Sequence, residues 1–417
     1  MTDASWFKRR RYAHFDLSIC EADAIKYVSE PTNITRHSFF PFLAYDLKFR
    51  RYKSSEKGAD VSTKRRPIRV AAHRDGYIFA YYAHLLSQAY EGFVNPGAIS
   101  RCSLAYRKNL GSNIEFSNAA FTEIETRKNC IAIAMDLKDF FDSIDHQVLK
   151  SQWCHVLGEK RLPSDHYAVF RGMTRYAYVN REECFEALKI ENVKSAPHPL
   201  CDAKQFRDVI RSKKIIRVNL NQYGIPQGAP MSAVLSNIYM IPFDQKMVEL
   251  EQEVGGYYRR YCDDILWIAP AEHADTIQNR TISTLSDQGS ALGINHAKTT
   301  VSRFVDGKVS EGPIVQYLGF TFDGKNRRIR SQTLSKFWRK VVFGVRAARR
   351  RARSASSEGG DGKLYKRKIY RRFTHLGRRN FLSYARRAWS KPGAGGVRKQ
   401  LRRHWERIQK EINEPLK

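Results

Sequence analysis

The sequence of 417 residues lacks several features that mark common classes of protein. It contains no run of about 18 apolar residues, so it predicts no membrane-spanning helix and no membrane partner. The basic residues 1–15 include no apolar stretch of the kind that secretory signals have, which favours a cytoplasmic location. The seven cysteines are scattered singly without a C-x-x-C pair, and this argues against a disulfide framework or a structural zinc site.

Acidic residues are also scarce, and the shortage is concentrated in the C-terminal part. Lys and Arg number 73 against 42 Asp and Glu, a formal net charge of +31. Residues 324–417 hold 30 basic and 5 acidic side chains, whereas residues 1–323 have a net charge of only +6. A run of charge is often no more than a solvated helix face, but here the acids that would pair with the bases are nearly missing. The pattern therefore indicates a polyanionic partner, with nucleic acid as the first candidate.

The basic C-terminal part has the apolar spacing of folded helices. Apolar residues recur every three to four positions between 334 and 348, and further helices are predicted at about 363–389 and 397–412. A Gly- and Pro-rich break at 391–396 separates the last two. Three amphipathic helices with basic outer faces would form a bundle that can hold a phosphate backbone.

The rest of the chain has the patterns of a mixed α and β fold. Residues 1–60 are predicted to be mostly helical, and residues 77–90 to form a buried helix. Residues 155–215 show few clear periods and are predicted to be irregular. Ser143 is predicted to cap a helix that runs from about 145 to 157.

Three aspartates lie where strands are predicted to end. The apolar run 130–135 predicts a buried strand that ends at Asp136, and residues 257–268 predict a β-hairpin with Asp263 and Asp264 near its tip. An Asp-Asp pair is often only a turn, but adjacent like charges repel unless a cation neutralises them. Three aspartates from two strands could bind two Mg²⁺ ions about 3.5–4 Å apart, an arrangement that suits phosphoryl transfer.

A Gly- and Pro-rich loop separates these two aspartate segments. Residues 222–230 form this loop, and a helix with apolar residues at helical spacing follows it. Gly228 allows the backbone to approach a ligand closely, and a helix N-terminus favours anions. Taken alone, such a loop indicates no particular chemistry.

The ordered set of segments carries a resemblance to a known family. The segments are K-R-R-P-I (64–68), A-Y-R-K (105–108), D-L-K-D-F-F-D (136–142), G-I-P-Q-G-A-P (224–230), Y-C-D-D (261–264), L-G-I-N-H-A-K-T (292–299) and Y-L-G-F (317–320). Over roughly residues 60–330 the chain resembles a reverse transcriptase. The resemblance implies an α+β right-hand polymerase, with fingers, a palm that carries carboxylates on a β-hairpin, and a basic α-helical thumb.

The resemblance also implies a division of the chain into domains. Residues 1–125 correspond to an N-terminal helical region and fingers, and residues 126–330 to the palm. A fingers-type insertion is expected at about 155–220. Residues 331–417 correspond to the basic helical thumb.

The resemblance assigns the metal site and the nucleotide site to particular residues. Asp136, Asp263 and Asp264 match the metal-binding triad, and the carbonyl of Leu137 would also face a metal. The implied cofactor is a pair of Mg²⁺ ions, with Mn²⁺ as an alternative. The residues that match contacts of the incoming nucleotide are Lys64, Arg65 and Arg66 for the triphosphate, Phe141 as a steric gate against a 2′-hydroxyl, and Gln227 and Gly228 in the loop.

Two further assignments follow from the later motifs. Lys298 matches a lysine proposed as general acid to the leaving pyrophosphate, although a surface lysine in a loop is the alternative interpretation. Residues 317–320 match the segment that grips the primer strand. Asp139 and Asp142 are interpreted as local structure or salt-bridge residues rather than as metal ligands.

The implied activity is RNA-directed DNA synthesis, in which a primer 3′-hydroxyl attacks the α-phosphate of a dNTP. The implied partners are a structured RNA template, dNTPs, the DNA product and an RNA–DNA duplex. The oligomeric state and the primer, whether RNA, DNA or a protein tyrosine, stay open.

Within the family the chain most resembles the bacterial unknown-group enzymes, many of which serve in defence. The residues after 323 leave room for a thumb but not for a maturase and endonuclease tail, and two motifs expected of retron enzymes are not found. A single-protein antiphage system of the second type, with its own non-coding RNA, is the favoured interpretation. The alternatives are a group II intron-like mobile-element enzyme with an RNA-binding splicing role, and a catalytically inactive nucleic-acid-binding protein.

Overall fold

The structure, a computed structural model, describes residues 4–55, 58–95, 97–193 and 195–414. Helices and three β-sheets alternate along it. The elements of the first half are α1 (Glu21–Val28), α2 (Pro31–Thr35), β1 (Phe42–Ser55), β2 (Gly58–Val70), α3 (His73–Val94), α4 (Ile99–Cys102), α5 (Asn113–Arg127), β3 (Cys130–Asp136), α6 (His146–Leu157), α7 (Ser164–Thr174), β4 (Ala177–Asn180), α8 (Arg181–Ala187), α9 (Ala203–Gln205) and β5 (Arg217–Val218).

The second half begins with helices, continues with short strands and ends in helices. Its elements are α10 (Ser232–Tyr239), α11 (Ile241–Glu253), β6 (Tyr257–Tyr261), β7 (Asp264–Ala269), α12 (Ala274–Gln288), β8 (Thr300–Val305), β9 (Lys308–Glu311), β10 (Val315–Tyr317), β11 (Phe320–Phe322), β12 (Arg327–Ile329), α13 (Ser331–Ser357), α14 (Lys366–Phe373), α15 (Phe381–Trp389), α16 (Gly395–Leu401) and α17 (His404–Asn413). The mixed α and β fold class predicted from the sequence is confirmed.

The central sheet has five antiparallel strands in the order β6-β7-β3-β8-β9. Its middle strand β3 confirms the predicted apolar strand that ends at Asp136. Because side chains alternate across a strand, Ile131 and Ile133 join one apolar core with α3, α6, α10 and α11. Ala132 joins a second core on the other face, with α5, the β10–β12 sheet and the C-terminal helices. Both faces of the sheet are therefore covered.

A second sheet, of order β2-β1-β4-β5, is built on a long hairpin. Strands β1 and β2 pair antiparallel over their length, and β1 also pairs in parallel with β4 through Leu43 and Val179. The prediction that residues 1–60 are mostly helical is therefore wrong, because only α1 and α2 are helical in the described part of this range and a strand begins at Phe42. The strand is stabilised by a partner more than 130 residues away, which local periodicity does not reveal.

Several local predictions can be compared with the structure. The buried helix at 77–90 is confirmed as part of α3. Residues 155–215, predicted to be irregular, include α7, β4, α8 and α9. Ser143 does not cap α6, because its hydroxyl donates to the Asp139 carbonyl. The cap is Asp145, whose carboxylate accepts from the backbone amides of the first turn of α6.

The described C-terminal residues form five helices where three were predicted. Helix α13 confirms the first. The second is interrupted after Phe373, because Asn380 caps a new helix with its side chain and also donates to the carbonyls of Arg371 and Thr374. The third is interrupted after Leu401, because the ring of His404 contacts the Leu401 carbonyl that a continuous helix would use itself.

The predicted domain boundaries, at 125 and 330, stay a prediction. The basic C-terminal helices and α5 share one apolar core with the central sheet. Arg327 adds a polar link, since its guanidinium contacts Glu125 of α5 at 2.5 Å and the Pro392 carbonyl at 3.0 Å. None of the helices in the described ranges combines the length and the apolar character that crossing a membrane requires.

Candidate active site at the end of the central sheet

The hairpin of β6 and β7 presents the Asp-Asp pair at its tip, as the sequence predicts. Tyr261 pairs with Asp264, which leaves a two-residue turn of Cys262 and Asp263. Cys262 has φ +59, a left-handed conformation that a side chain with Cβ adopts only at some cost. One aspartate therefore lies in the turn and the other at the first position of a strand.

Strand β3 brings the third aspartate to the same edge of the sheet. Asp136 is the direct antiparallel partner of Asp264. The backbone amide of Leu137 donates to the carbonyl of Asp263 at 2.9 Å, so the pairing continues past the strand end into the turn. The three aspartates are thus positioned by backbone hydrogen bonds of adjacent segments.

A segment 160 residues further along the chain adds a cation to this edge. Ile294 forms an isolated bridge with Leu137, and the amide of Asn295 donates to the carbonyl of Asp136 at 2.7 Å. A short 3-10 turn then places the ammonium group of Lys298 in an ion pair with the Asp136 carboxylate. Lys298 is therefore part of the aspartate site rather than a lysine of a remote surface loop.

Burial and the charges of neighbouring carboxylates together set the electrostatics of the site. Burial, and then the nearby charges of Asp263 and Asp136, raise the pKa of Asp264 to about 7. Lys298 and Arg330 act in the opposite direction without cancelling the effect. The cations of the protein thus leave part of the negative charge of these half-buried carboxylates uncompensated.

The donor set fits a hard divalent cation. In the described parts of the chain, no three His, Cys, Asp or Glu side chains are already gathered closely enough to hold a metal ion, and Asp136 is engaged with Lys298. The oxygens at this edge are nevertheless of the type that Mg²⁺ prefers. A cation there would relieve the repulsion from Asp263 and Asp136 that, after burial, raises the pKa of Asp264.

The Gly- and Pro-rich loop lies between the aspartate segment and the long hairpin. The amide of Ile225 donates to the carbonyl of Phe141 at 2.9 Å, and the side-chain amide of Gln227 donates to Asp142 at 3.0 Å. The carbonyl of Gln227 accepts from the amide of Arg69 in β2 at 2.8 Å. The loop therefore connects the predicted steric gate Phe141, which is half-buried, to the second sheet.

Gly228 lies directly against β2. Its φ is +100, and a Cβ atom there would lie 3.1 Å from Ile68 and 3.2 Å from the carbonyl of Arg69. The positive φ and the close contacts with β2 both require glycine at this position. The predicted triphosphate residues Lys64, Arg65 and Arg66 lie a few residues earlier on the same strand, and the last two are exposed.

The sequence that forms this site matches a known protein family. The model of the family described as reverse transcriptase (RNA-dependent DNA polymerase) matches residues 101–322, more than half of the chain. The chain belongs to the reverse transcriptase family. The family resemblance predicted from the sequence is confirmed, and reverse transcriptase domains generally use divalent metal ions.

Solved telomerases are among the structures to which this reverse transcriptase is similar. A C-terminally truncated apo telomerase from Candida tropicalis is 11% identical with a TM-score of 0.41, and the match covers 75% of this chain and 61% of that one. A telomerase from Candida albicans, in complex with a fragment of telomeric RNA, is 11% identical with a TM-score of 0.45. This match covers 93% of this chain and 58% of that one. The chain thus spans about three-fifths of the length of these telomerases. Among curated proteins, none matches its sequence.

The predicted primer-gripping segment forms a tight turn in this reverse transcriptase. Residues 317–320 join β10 to β11, with Leu318 and Gly319 at φ +47 and +90. The carbonyl of Leu318 accepts from Asn113 of α5, and the carbonyl of Gly319 from the amide of Arg330. The turn is thus hydrogen-bonded to the backbone of Arg330, whose charge acts to lower the pKa of Asp264.

Sequence reasoning missed the buried ionic residues behind the hairpin. Arg260 and Asp244 are both fully buried and form an ion pair with each other. Arg260 occupies an inward-facing position of β6, a strand whose burial alternates from residue to residue. A charged residue at an inward position of a predicted strand was the available signal, because such a residue needs a buried partner.

We predict that Asp264→Asn stabilises the metal-free protein, and more so at pH 8 than at pH 5. The folded state raises the pKa of Asp264 from 3.8 to about 7, so the folded protein loses stability as the pH rises between these values. Asparagine removes that loss. One pKa unit corresponds to ~1.4 kcal/mol of stability, and the partial exposure of Asp264 makes the actual effect smaller. The gain in unfolding free energy should therefore be about 1–2 kcal/mol larger at pH 8 than at pH 5.

The measurement is urea unfolding of both proteins in EDTA at the two pH values. Asp139→Asn is the matched control, since Asp139 is exposed and already has a left-handed conformation that asparagine tolerates. An equal gain for Asp264→Asn at both pH values would contradict the account of the site's electrostatics.

Proposed function

We propose that this protein is an RNA-directed DNA polymerase that extends a primer with dNTPs on an RNA template. The observation that carries the proposal is the direct pairing of Asp136 with Asp264 across β3 and β7, with Asp263 beside them and Lys298 on Asp136. Membership of the reverse transcriptase family supports it.

Asp136, Asp263, Asp264 and the carbonyl of Leu137 would hold two divalent ions, Mg²⁺ or alternatively Mn²⁺. Bound ions would neutralise phosphate charge and favour deprotonation of the attacking hydroxyl. In the reaction the primer 3′-hydroxyl attacks the α-phosphate of the dNTP and pyrophosphate leaves. Lys298 would release Asp136 and donate a proton to the leaving pyrophosphate, because its ammonium group is already at this edge of the site.

The nucleotide would lie between the aspartates and the second sheet. Phe141 follows Asp136 by five residues and is held by the loop that contains Gln227 and Gly228. A flat ring there would collide with a 2′-hydroxyl and favour dNTPs. Gln227 would leave Asp142 to contact the nucleotide, and Lys64, Arg65 and Arg66 would bind its triphosphate from strand β2.

The basic C-terminal helices would form a thumb that holds the template–primer duplex. Helix α14 shows the required surface: Ile369 and Phe373 are buried, while its other residues except Tyr370 are exposed lysines and arginines. Cations spaced along a helix bind a phosphate backbone without reading sequence. We accordingly propose fingers in residues 1–125, a palm in 126–330 with an insertion at about 155–220, and a thumb in 331–417.

Within the family, we propose that the chain serves in bacterial antiphage defence with a dedicated non-coding RNA as template. The support is the resemblance of its motif set, including the Y-C-D-D form at 261–264, to the unknown-group enzymes. A mobile-element enzyme with a splicing role and an inactive nucleic-acid-binding protein are the alternatives that the experiments below distinguish.

We predict that Asp263→Ala combined with Asp264→Ala abolishes dNTP incorporation without unfolding the protein. The substitutions remove carboxylates that repel each other, so the fold loses no favourable contact between them. Primer extension on an RNA template and thermal unfolding measure the two effects. Asp139→Asn should retain activity, and EDTA should inactivate the wild type. Full activity in the double variant would refute the mechanism, and an inactive wild type would favour a binding protein.

We predict that Phe141→Ala admits ribonucleotides. Loss of the ring opens space for a 2′-hydroxyl, so the ratio of kcat/KM for dNTP over rNTP should fall on the order of 10- to 100-fold. Steady-state incorporation of each nucleotide opposite the same template base measures this ratio. Phe141→Tyr keeps the ring plane and should keep the discrimination. Unchanged discrimination in Phe141→Ala would remove Phe141 from the nucleotide site.

We predict that the protein purified from its native host, with the genomic neighbourhood intact, carries one abundant RNA encoded beside its gene. Sequencing of the bound RNA and of any cDNA tests this, with the Asp263/Asp264 double-alanine variant as control. cDNA complementary to that RNA should occur only with the wild type. A broad mixture of cellular RNAs, or cDNA matching a flanking intron, would instead indicate a general or mobile-element enzyme.

A further inference from the structure

A fully buried ion pair lies directly behind the Asp-Asp turn. The guanidinium of Arg260 donates to both oxygens of Asp244, from Nε at 2.8 Å and from Nη2 at 2.5 Å. Both side chains have no exposed area. Tyr258 donates to the same carboxylate at 2.7 Å. Burying two charges is costly, and loss of either partner would leave the other charge buried and unpaired.

The remaining contacts of Arg260 reach the Asp-Asp turn and the segment after α4. Its Nη1 donates to the carbonyl of Cys262 at 3.1 Å, and its Nη2 also donates to the hydroxyl of Ser103 at 3.1 Å. Cys262 is the turn residue with left-handed backbone, and its carbonyl is bonded to the nitrogen of Asp263. The guanidinium therefore connects the turn that presents the aspartates to α11 and to the segment after α4.

The backbone of the same residue strengthens this connection. The carbonyl of Arg260 accepts from the amide of Leu104 at 2.9 Å, and Ser103 forms an isolated bridge with Arg260. The hydroxyl of Tyr106, two residues further on, donates to the sulfur of Cys262 at 3.5 Å. The turn is thus held by the side chain of Arg260 and by contacts of the hairpin with residues 103–106.

We propose that Arg260, oriented by Asp244, is a positioning residue that fixes the Cys262–Asp263 turn and thereby the direction of the Asp263 and Asp264 carboxylates. The left-handed conformation of Cys262 is unfavourable by itself, so it persists only while its surroundings hold it. A fixed turn keeps the two carboxylates ready for cations without rearrangement. The inference rests on the proposed function, since it gives these aspartates the catalytic role.

The geometry of the guanidinium separates this role from a general need for buried charge. Arg260 contacts a carboxylate, a hydroxyl and a carbonyl at once through a planar fork. Lysine would keep the positive charge beside Asp244, but its three N–H donors all belong to one nitrogen. It cannot reproduce the contacts that Arg260 makes from three separate nitrogens. Arg260→Lys is therefore the informative substitution.

The neighbouring residue offers a matched control. Arg259 lies on the same strand with its side chain on the other face, and it pairs with Glu251 at 3.0 Å. Its contacts with Glu251 and with the carbonyl of Tyr258 do not reach the turn. Arg259→Lys makes the same chemical change in an ion pair of the same hairpin.

The first experiment measures the turn itself, without metal or substrate. Cys262 is buried, so its rate of alkylation by iodoacetamide, followed by mass spectrometry, reports how often the turn opens. We expect Arg260→Lys to raise that rate by about tenfold or more, and Arg259→Lys to change it by less than about twofold. The buried Cys102 and Cys184 should stay protected in both variants.

Two outcomes of this experiment would overturn the proposal. One is a Cys262 that stays as protected in Arg260→Lys as in the wild type. The other is simultaneous exposure of Cys102 and Cys184, which would show that the ion pair supports the whole fold rather than the turn.

The second experiment connects the turn to synthesis. Single-turnover primer extension should be slower in Arg260→Lys by about tenfold or more, with the dNTP KM within about twofold and a higher Mg²⁺ concentration for half-maximal rate. Arg259→Lys should match the wild type, and unchanged extension in Arg260→Lys would refute a positioning role in synthesis. A wild type without synthesis would refute the proposed function alone, because the alkylation rates would still decide whether Arg260 holds the turn.

Discussion

Repulsion between carboxylates that the backbone forces together is the constraint on which this structure depends. Asp136 and Asp264 are paired residues of adjacent strands, and Asp263 is bonded through its carbonyl to the residue after Asp136. The strands cannot move apart to separate the carboxylates without breaking the backbone hydrogen bonds between them. The repulsion is tolerated because the sheet is packed on both faces, by two apolar cores that share β3 and β7 between them.

The cations around the aspartates come from three separate parts of the chain, and they act differently. Lys298 contacts Asp136 directly and remains partly exposed, so it can exchange partners when a substrate arrives. Arg330 acts on Asp264 through its charge. Arg260 is fully buried and contacts the backbone of the turn rather than a site carboxylate. The first two compensate charge, whereas the third fixes geometry.

Much of the central sheet could be predicted because its signals are local. The apolar run before Asp136 and the alternation around Asp263 and Asp264 specify a strand and a hairpin by themselves. The features that failed prediction depend on partners that the local spacing of apolar residues does not reveal. Strand β1 requires β4, the break after Phe373 requires the side chain of Asn380, and the buried pair of Arg260 joins a strand to a helix. Motif resemblance placed Lys298 near the aspartates, which spacing alone could not do.

The basic C-terminal helices and the aspartate site are connected by packing rather than by a flexible link. Ala132 and Leu266, from the strands that carry the aspartates, belong to the same apolar core as Val341 and Val345 of α13. Because those apolar residues face inward, the lysines and arginines of the C-terminal helices are left on the outside. A duplex held by that outer surface, as we propose, would have a fixed distance to the aspartates, since any displacement of these helices would have to open a core shared with the central sheet.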